Sequence, residues 1–235
     1  MRVFVEPGQL RAGEVEIRGE EHHYLAVARR SRPGDALELV DGTGRRAAAT
    51  IRAITANVSV VIAGPVETSQ DTPPAIRVLL PLIKGERMDF AIEKLVEVGA
   101  TAIIVWPAAR SVVKLDAKRR ADRESHYGRA VQSAVRQCRR AITPAISIAE
   151  SLDAAIAALP PGWRAVLDPT ATRGTVPAVE PEIAIASGPE GGLDPSEAEV
   201  LAGAGFVPVG LGPRLLRAET APMVAVAVLR ASTDS

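Results

Sequence analysis

At 235 residues, with 47% apolar side chains and 28 basic residues balancing 28 acidic ones, the chain has enough material for one sizeable core or two modest domains and is not a disordered or fibrous composition. Its apolar runs fall far short of a membrane span, and the start Met1-Arg2-Val3-Phe4-Val5-Glu6-Pro7 lacks the apolar stretch of a secretory signal. The single Cys138 cannot form an internal disulfide and three histidines give no metal-ligand cluster, so a metal-free cytoplasmic protein is expected.

Short β-like runs occupy 3–5, 14–17, 36–40, 47–54 and 58–62, with one helical piece around Glu20 to Arg29. Asp41-Gly42 with Gly44 signals a hairpin, and the succession of strands predicts a small barrel over residues 1–66. His22 and His23 are neighbours on a helix, so they point to different sides. With no third ligand in view, one is expected to be packed and the other on the surface. Residues 67–75 are polar and proline-bearing and predict a linker.

From 76 to 235 the pattern changes. Strands at 76–83, 101–106, 145–148, 164–168, 182–186 and 206–209 alternate with helices at 87–98, 118–139, 150–158, 195–203 and 221–231. That alternation predicts an α/β domain with a mostly parallel sheet covered by helices. Two polar, glycine-bearing loops stand out. Ser187-Gly188-Pro189-Glu190-Gly191-Gly192 leaves the strand at 182–186 and enters a helix that Asp194 can cap, with Pro195 in the first turn and Glu197 completing a capping box. Leu211-Gly212-Pro213-Arg214-Leu215-Leu216-Arg217-Ala218-Glu219-Thr220-Ala221 likewise joins a strand to an apolar helix. Ligands of open α/β sheets sit beyond the carboxyl ends of strands, where both loops lie, so together they predict one pocket. Neither carries the Gly-x-Gly-x-x-Gly spacing of a dinucleotide loop or the Lys-Ser/Thr of a phosphate-binding loop.

Charge is segregated despite the zero net balance. Residues 110–140 hold ten Lys or Arg against three acids, whereas 150–200 hold nine acids against two Arg. A locally positive face on a neutral protein can collect phosphate contacts while keeping non-specific binding modest. On the helix at 118–139, Arg129, Arg136 and Arg140 share one face by helical spacing, which in most proteins is simply a solvated face.

The two late loops resemble the ribosomal RNA small subunit methyltransferase E family. Supporting segments are Lys84-Gly85-x-Arg87-Met88-Asp89, Glu93-Lys94 with Glu97 and Gly99, Arg110-Ser111-Val112 with Lys114, Arg2-x-Phe4-Val5, and His22-His23-x-Leu25-x-x-x-Arg29. The resemblance implies a SPOUT-type fold with a deep trefoil knot within about 165–231, a preceding PUA-like β-barrel that binds RNA, and a homodimer. It also implies methylation of N3 of one uridine in 16S ribosomal RNA of the small subunit, with S-adenosylmethionine as methyl donor. By the same resemblance Leu167, Gly188, Glu190, Gly191, Gly192, Leu211, Gly212 and Leu216 would hold that donor. Arg2, Arg29, Arg30, Arg110, Lys114, Arg136 and Arg140 would meet RNA. The family usually carries a glutamate where this chain has Arg136, which makes the surface more basic.

Methyl transfer to a pyrimidine nitrogen is a single in-line displacement, so an enzyme must position two reactants and let the nitrogen lose its proton. The resulting anion spreads onto the flanking carbonyl oxygens, and donors aimed there favour it. Arg217 and Arg214 are the candidates for that task, with Glu219 to orient them or accept the proton. An ion pair for the arginines and a helix-start carboxylate for Glu219 are the ordinary alternatives. A non-catalytic RNA-binding adaptor and a nucleotide-binding metabolic enzyme are the competing classes, and related knotted enzymes act on ribose 2′-hydroxyls or on transfer RNA.

Overall fold

The computed structural model describes residues 1–71, 73–111, 117–172 and 180–233. They form two compact units, Met1–Asp71 with Val135–Thr143, and Thr72–Ala134 with Pro144–Ser235.

In the first unit a six-stranded sheet is built from β1 (Arg2–Phe4), β2 (Gly13–Ile17), β3 (Ala36–Val40), β4 (Arg45–Ile54), β5 (Ser59–Ala63) and β6 (Glu67–Thr68). The order is β1-β3-β4-β5-β2 with β6 paired to β4; β1 runs parallel to β3 and the other pairs are antiparallel. Period-two alternation decides which face is buried. Along β4, Ala47, Ala49 and Ile51 point inward while Ala48, Thr50 and Arg52 are exposed, and a register shift follows between Ile51 and Ala53. The two-residue strand β6 lies in the stretch expected as linker.

Helix α1 (Gly19–His23) continues as one π-turn, Tyr24–Ala28. His22 is buried, its Nε2 beside the Ala56 carbonyl at 3.2 Å and its Nδ1 beside the Ser59 hydroxyl at 2.9 Å. A carbonyl can only accept, so Nε2 donates to Ala56, and the Ser59 hydroxyl closes the other side of the ring. His23 is exposed. One histidine is packed and the other is on the surface, as their adjacency predicts.

In the second unit the chain runs β7 (Ala75–Pro81), α2 (Glu86–Glu97), β8 (Ala102–Trp106), α3 (Ala117–Cys138), β9 (Ala145–Ile148), α4 (Leu152–Ala157), β10 (Trp163–Leu167), β11 (Glu182–Ala186), α5 (Pro195–Gly203), β12 (Val207–Val209) and α6 (Ala221–Thr233). All six strands are parallel, in the order β12-β10-β11-β7-β8-β9. Burial on both faces explains why these strands read as continuous apolar runs rather than alternating ones. Leu79, Ile104, Trp106, Ala184 and Ala186 pack with Leu152 and Ala155 of α4 and Leu201 of α5, while α6 lies against β7, β11 and α2.

The predicted capping box of α5 is present: Asp194 accepts from the Ser196 amide at 3.1 Å, and Glu197 accepts from the Asp194 amide at 2.8 Å. The segments that follow β10 and β12 cross in contact. The Gly210 amide donates to the Thr172 carbonyl at 3.0 Å, and a Cβ on Gly210 would collide with the Ala171 carbonyl oxygen. So close an approach of two backbones needs a residue without a side chain.

Candidate active site

Because the strands are parallel, the loops that leave β10, β11 and β12 emerge from one edge of the sheet, and they enclose a cavity of about 780 Å³. That is within the range of small-molecule and cofactor sites. Its inner wall is apolar: Val166 and Val209 from the strands, Ala198 and Ala202 from α5, and Phe206. The charged residues of the lining lie toward solvent: Arg87, Glu190, Arg214 and Arg217 are exposed and Asp168 is half-buried, so they mark the mouth. An apolar interior with a few polar groups at the rim suits an organic molecule with apolar and polar parts.

One polar group lies deeper. Ser187, the first residue after β11, is 2% exposed and borders the cavity, and its Oγ has no hydrogen-bond partner. A buried hydroxyl without a partner is costly, so a polar ligand atom is its natural complement. Gly212 also borders the cavity with φ at +117°, a conformation that leaves its backbone open on the ligand side.

The glycine loop after β11 is held from three directions. Glu197 uses both carboxylate oxygens on backbone amides: Oε1 accepts from Ala109 at 2.6 Å, and Oε2 takes the capping-box bond from Asp194. Arg110 donates to the Gly191 carbonyl at 3.0 Å and stands 3.7 Å from Asp194. Arg87, from the first turn of α2, pairs with Glu190 at 3.0 Å. The Ser196 hydroxyl and amide, then Arg110, hold the Asp194 carboxyl below its usual range. On the loop after β10, the hydroxyl and amide of Thr170, then the Ala171 amide, do the same for Asp168.

The structure brings Leu167, Gly188, Glu190, Gly192, Leu211, Gly212 and Leu216 to this cavity, together with Arg214 and Arg217. Gly191 does not line the cavity, and its carbonyl accepts from Arg110. Glu219 lies behind the rim. It is 5% exposed, its Oε1 is 3.9 Å from the Arg217 guanidinium, and its Oε2 has no partner. Sequence reasoning passed over Ser187 as a ligand group and Arg87 and Glu197 as loop supports. For Ser187 a signal was present, since it is the polar residue that ends the apolar run Ile183 to Ala186. Glu190, the partner of Arg87, and Ala109, the second partner of Glu197, are about 100 and 90 residues away and carry no local signal.

The arginines expected to meet RNA divide sharply. Arg29 and Arg30 are exposed. Arg2 is tied to Glu38 at 2.6 Å and Arg140 to Asp71 at 2.8 Å. Arg136 makes a two-pronged pair with Glu21 and stacks over the rings of Tyr24 and Phe4, at 4.9 and 5.2 Å. The guanidiniums of Arg2, Arg136 and Arg140 are thus committed within the first unit, and Arg110 supports the glycine loop. Nor do Arg136 and Arg140 share a helix face: α3 ends at Cys138, and Arg139, with φ at +63°, turns the chain out of the helix. Lys114 lies outside the described residues.

A family model described as RNA methyltransferase domain matches residues 70–230, and one described as RNA methyltransferase PUA domain matches 17–61. Ribosomal RNA small subunit methyltransferase E of Mycobacterium bovis is 33% identical over 93% of this chain and 86% of its own length. This chain belongs to that family. The Bacillus subtilis member is 28% identical over 99% of this chain and 97% of its own. Among solved structures, a Legionella pneumophila methyltransferase in complex with the cofactor S-adenosylmethionine superposes with a TM-score of 0.90 at 29% identity, covering 98% of this chain and 97% of that one. The family's Neisseria gonorrhoeae member, bound to S-adenosylmethionine, gives 0.87 at 29% identity over 97% and 96%. The fold class is therefore the expected one, a SPOUT-type α/β domain with a PUA-like domain before it. Among the described residues no helix is long and apolar enough to cross a membrane.

Proposed function

We propose that this chain transfers the methyl group of S-adenosylmethionine to N3 of a uridine in 16S ribosomal RNA, acting in the cytoplasm as a homodimer. The observation that carries the reading is the apolar cavity formed by three converging loops, with Arg214 and Arg217 at its mouth. S-adenosylmethionine supplies an electrophilic methyl group on a sulfonium. Gly188, Gly192 and Gly212 keep backbone amides and carbonyls accessible to the donor, Leu211 and Leu216 cover its apolar faces, and the unpaired Ser187 hydroxyl gives it a polar anchor.

At the acceptor, the task of the protein is to stabilise uridine after loss of the N3 proton. Arg217 is largely exposed at the rim, and its guanidinium, with that of Arg214, is free to reach O2 and O4 of the base. Glu219 keeps a carboxylate behind Arg217 and biases where that guanidinium rests. Exposed Val207 and Val228 supply apolar surface for a second copy.

Nucleoside mass spectrometry of small-subunit RNA from cells lacking the protein tests the reading. Loss of 3-methyluridine, restored by the unsubstituted gene and not by Arg217→Ala, is expected. Retention of 3-methyluridine, or loss of a ribose methyl in its place, would overturn it.

A further inference from the structure

The loop after β12 carries a side chain that borders the cavity and yet is almost wholly exposed. Leu215 is 82% exposed, ahead of Val27 at 56% among the large apolar residues described. A lone surface leucine ordinarily means nothing. This one borders the mouth of the cavity, and it stands in Arg214-Leu215-Leu216-Arg217, where both arginines also line that mouth. Leu216 beside it is half-buried against the cavity wall, whereas Leu215 is turned out to solvent. The amides of Thr220 and Ala221 both donate to the Arg217 carbonyl at 2.9 Å and close a turn immediately behind this stretch.

The reading above places the acceptor atom in the middle of the Watson–Crick edge of a base. That edge enters a cavity only after the base has left its stack and any pairing partner, which leaves two neighbouring base faces uncovered. An aliphatic side chain entering the gap restores apolar contact with those faces and slows the return of the base. The group that fills the gap must sit beside the cavity, be apolar, and be flanked by cations that tolerate the nearby phosphates.

We propose that Leu215 is that wedge: it enters the RNA stack as the target uridine moves into the cavity, and Arg214 and Arg217 on either side hold the loop against the RNA. Leu215 is then a positioning residue. It sets how long the base stays displaced and contributes nothing to binding of the methyl donor. The proposal rests on the uridine-methylating reading, and its test separates the two.

Leu215→Ala and Leu215→Met are compared with the unsubstituted chain on small ribosomal subunits purified from cells lacking the protein. Leu215→Ala is expected to keep S-adenosylmethionine affinity by calorimetry, and subunit affinity by filter binding, within about twofold, while single-turnover methyl transfer falls about 10- to 100-fold. Leu215→Met, which keeps apolar length, recovers most of the rate. The fluorescence rise of 2-aminopurine placed next to the target uridine in small-subunit RNA is lost in Leu215→Ala and retained in Leu215→Met. An unchanged rate in Leu215→Ala, or a loss of donor affinity that matches the loss of rate, overturns the wedge. Failure of the unsubstituted chain to methylate the subunits overturns the functional reading itself.

Discussion

Glu197 accepts the Ala109 amide through Oε1 at 2.6 Å while closing the α5 capping box with Oε2, so one buried carboxylate joins the loop after β8 to the glycine loop after β11. Removal of the carboxylate orphans two amides at once. Glu197→Ala is expected to lower stability by about 2–4 kcal/mol, more than loss of a helix cap alone, and Glu197→Gln by less because one acceptor oxygen survives. Urea unfolding monitored by circular dichroism measures both. A cost for Glu197→Ala below about 1 kcal/mol would show that the Ala109 bond adds nothing to the cap.

Ser187 predicts effects of opposite sign with and without ligand. Its hydroxyl is buried and unpartnered, so Ser187→Ala should leave the ligand-free protein as stable or slightly more stable. The same substitution should weaken S-adenosylmethionine binding about 3- to 10-fold, the value of one hydrogen bond. Thermal unfolding and titration calorimetry on the same preparation read the two effects. Unchanged affinity would place the hydroxyl outside the ligand's reach.

Gly210 and Gly212 are close in sequence and constrained for different reasons. A Cβ at Gly210 meets the Ala171 carbonyl, which belongs to backbone and cannot yield. At Gly212 there is open space but a φ of +117°. Gly210→Ala should therefore cost about 2–4 kcal/mol or prevent folding, and Gly212→Ala about 1–2 kcal/mol, with the order checked by scanning calorimetry. The reverse order would mean that the crossing of the two segments is loose.

The arginines of the first unit should separate in salt-dependent RNA binding. Charge reversal of Arg29 and Arg30, both exposed, is expected to weaken binding to small-subunit RNA and reduce the slope of log affinity against log salt by about one to two. Arg136→Ala should instead lower thermal stability by about 1–3 kcal/mol, since it strips Glu21 of its partner and Tyr24 and Phe4 of a stacked cation, and leave the slope unchanged. A reduced slope in Arg136→Ala would return that residue to the RNA surface.

Element type and place were legible in the sequence because their causes are local. The cap residues Asp194 and Glu197 lie three positions apart, the apolar runs at 76–83 and 182–186 need only their own side chains to announce buried parallel strands, and alternation along β4 marks its inner face. The gathering of Leu167, Gly188 and Leu211 into one cavity was also within reach, since loops after parallel strands must leave the same edge of the sheet. Only the tertiary structure decided what each charge does. Arg136 looks like a surface cation until Glu21, 115 residues earlier, is placed beside it, and nothing near Gly191 in the sequence announces that Arg110 bonds its carbonyl. Secondary structure is set by neighbours within a turn or a pleat, whereas the fate of a guanidinium or a carbonyl depends on whichever partner the folded chain brings within 3 to 4 Å, and no pattern along the chain encodes that distance.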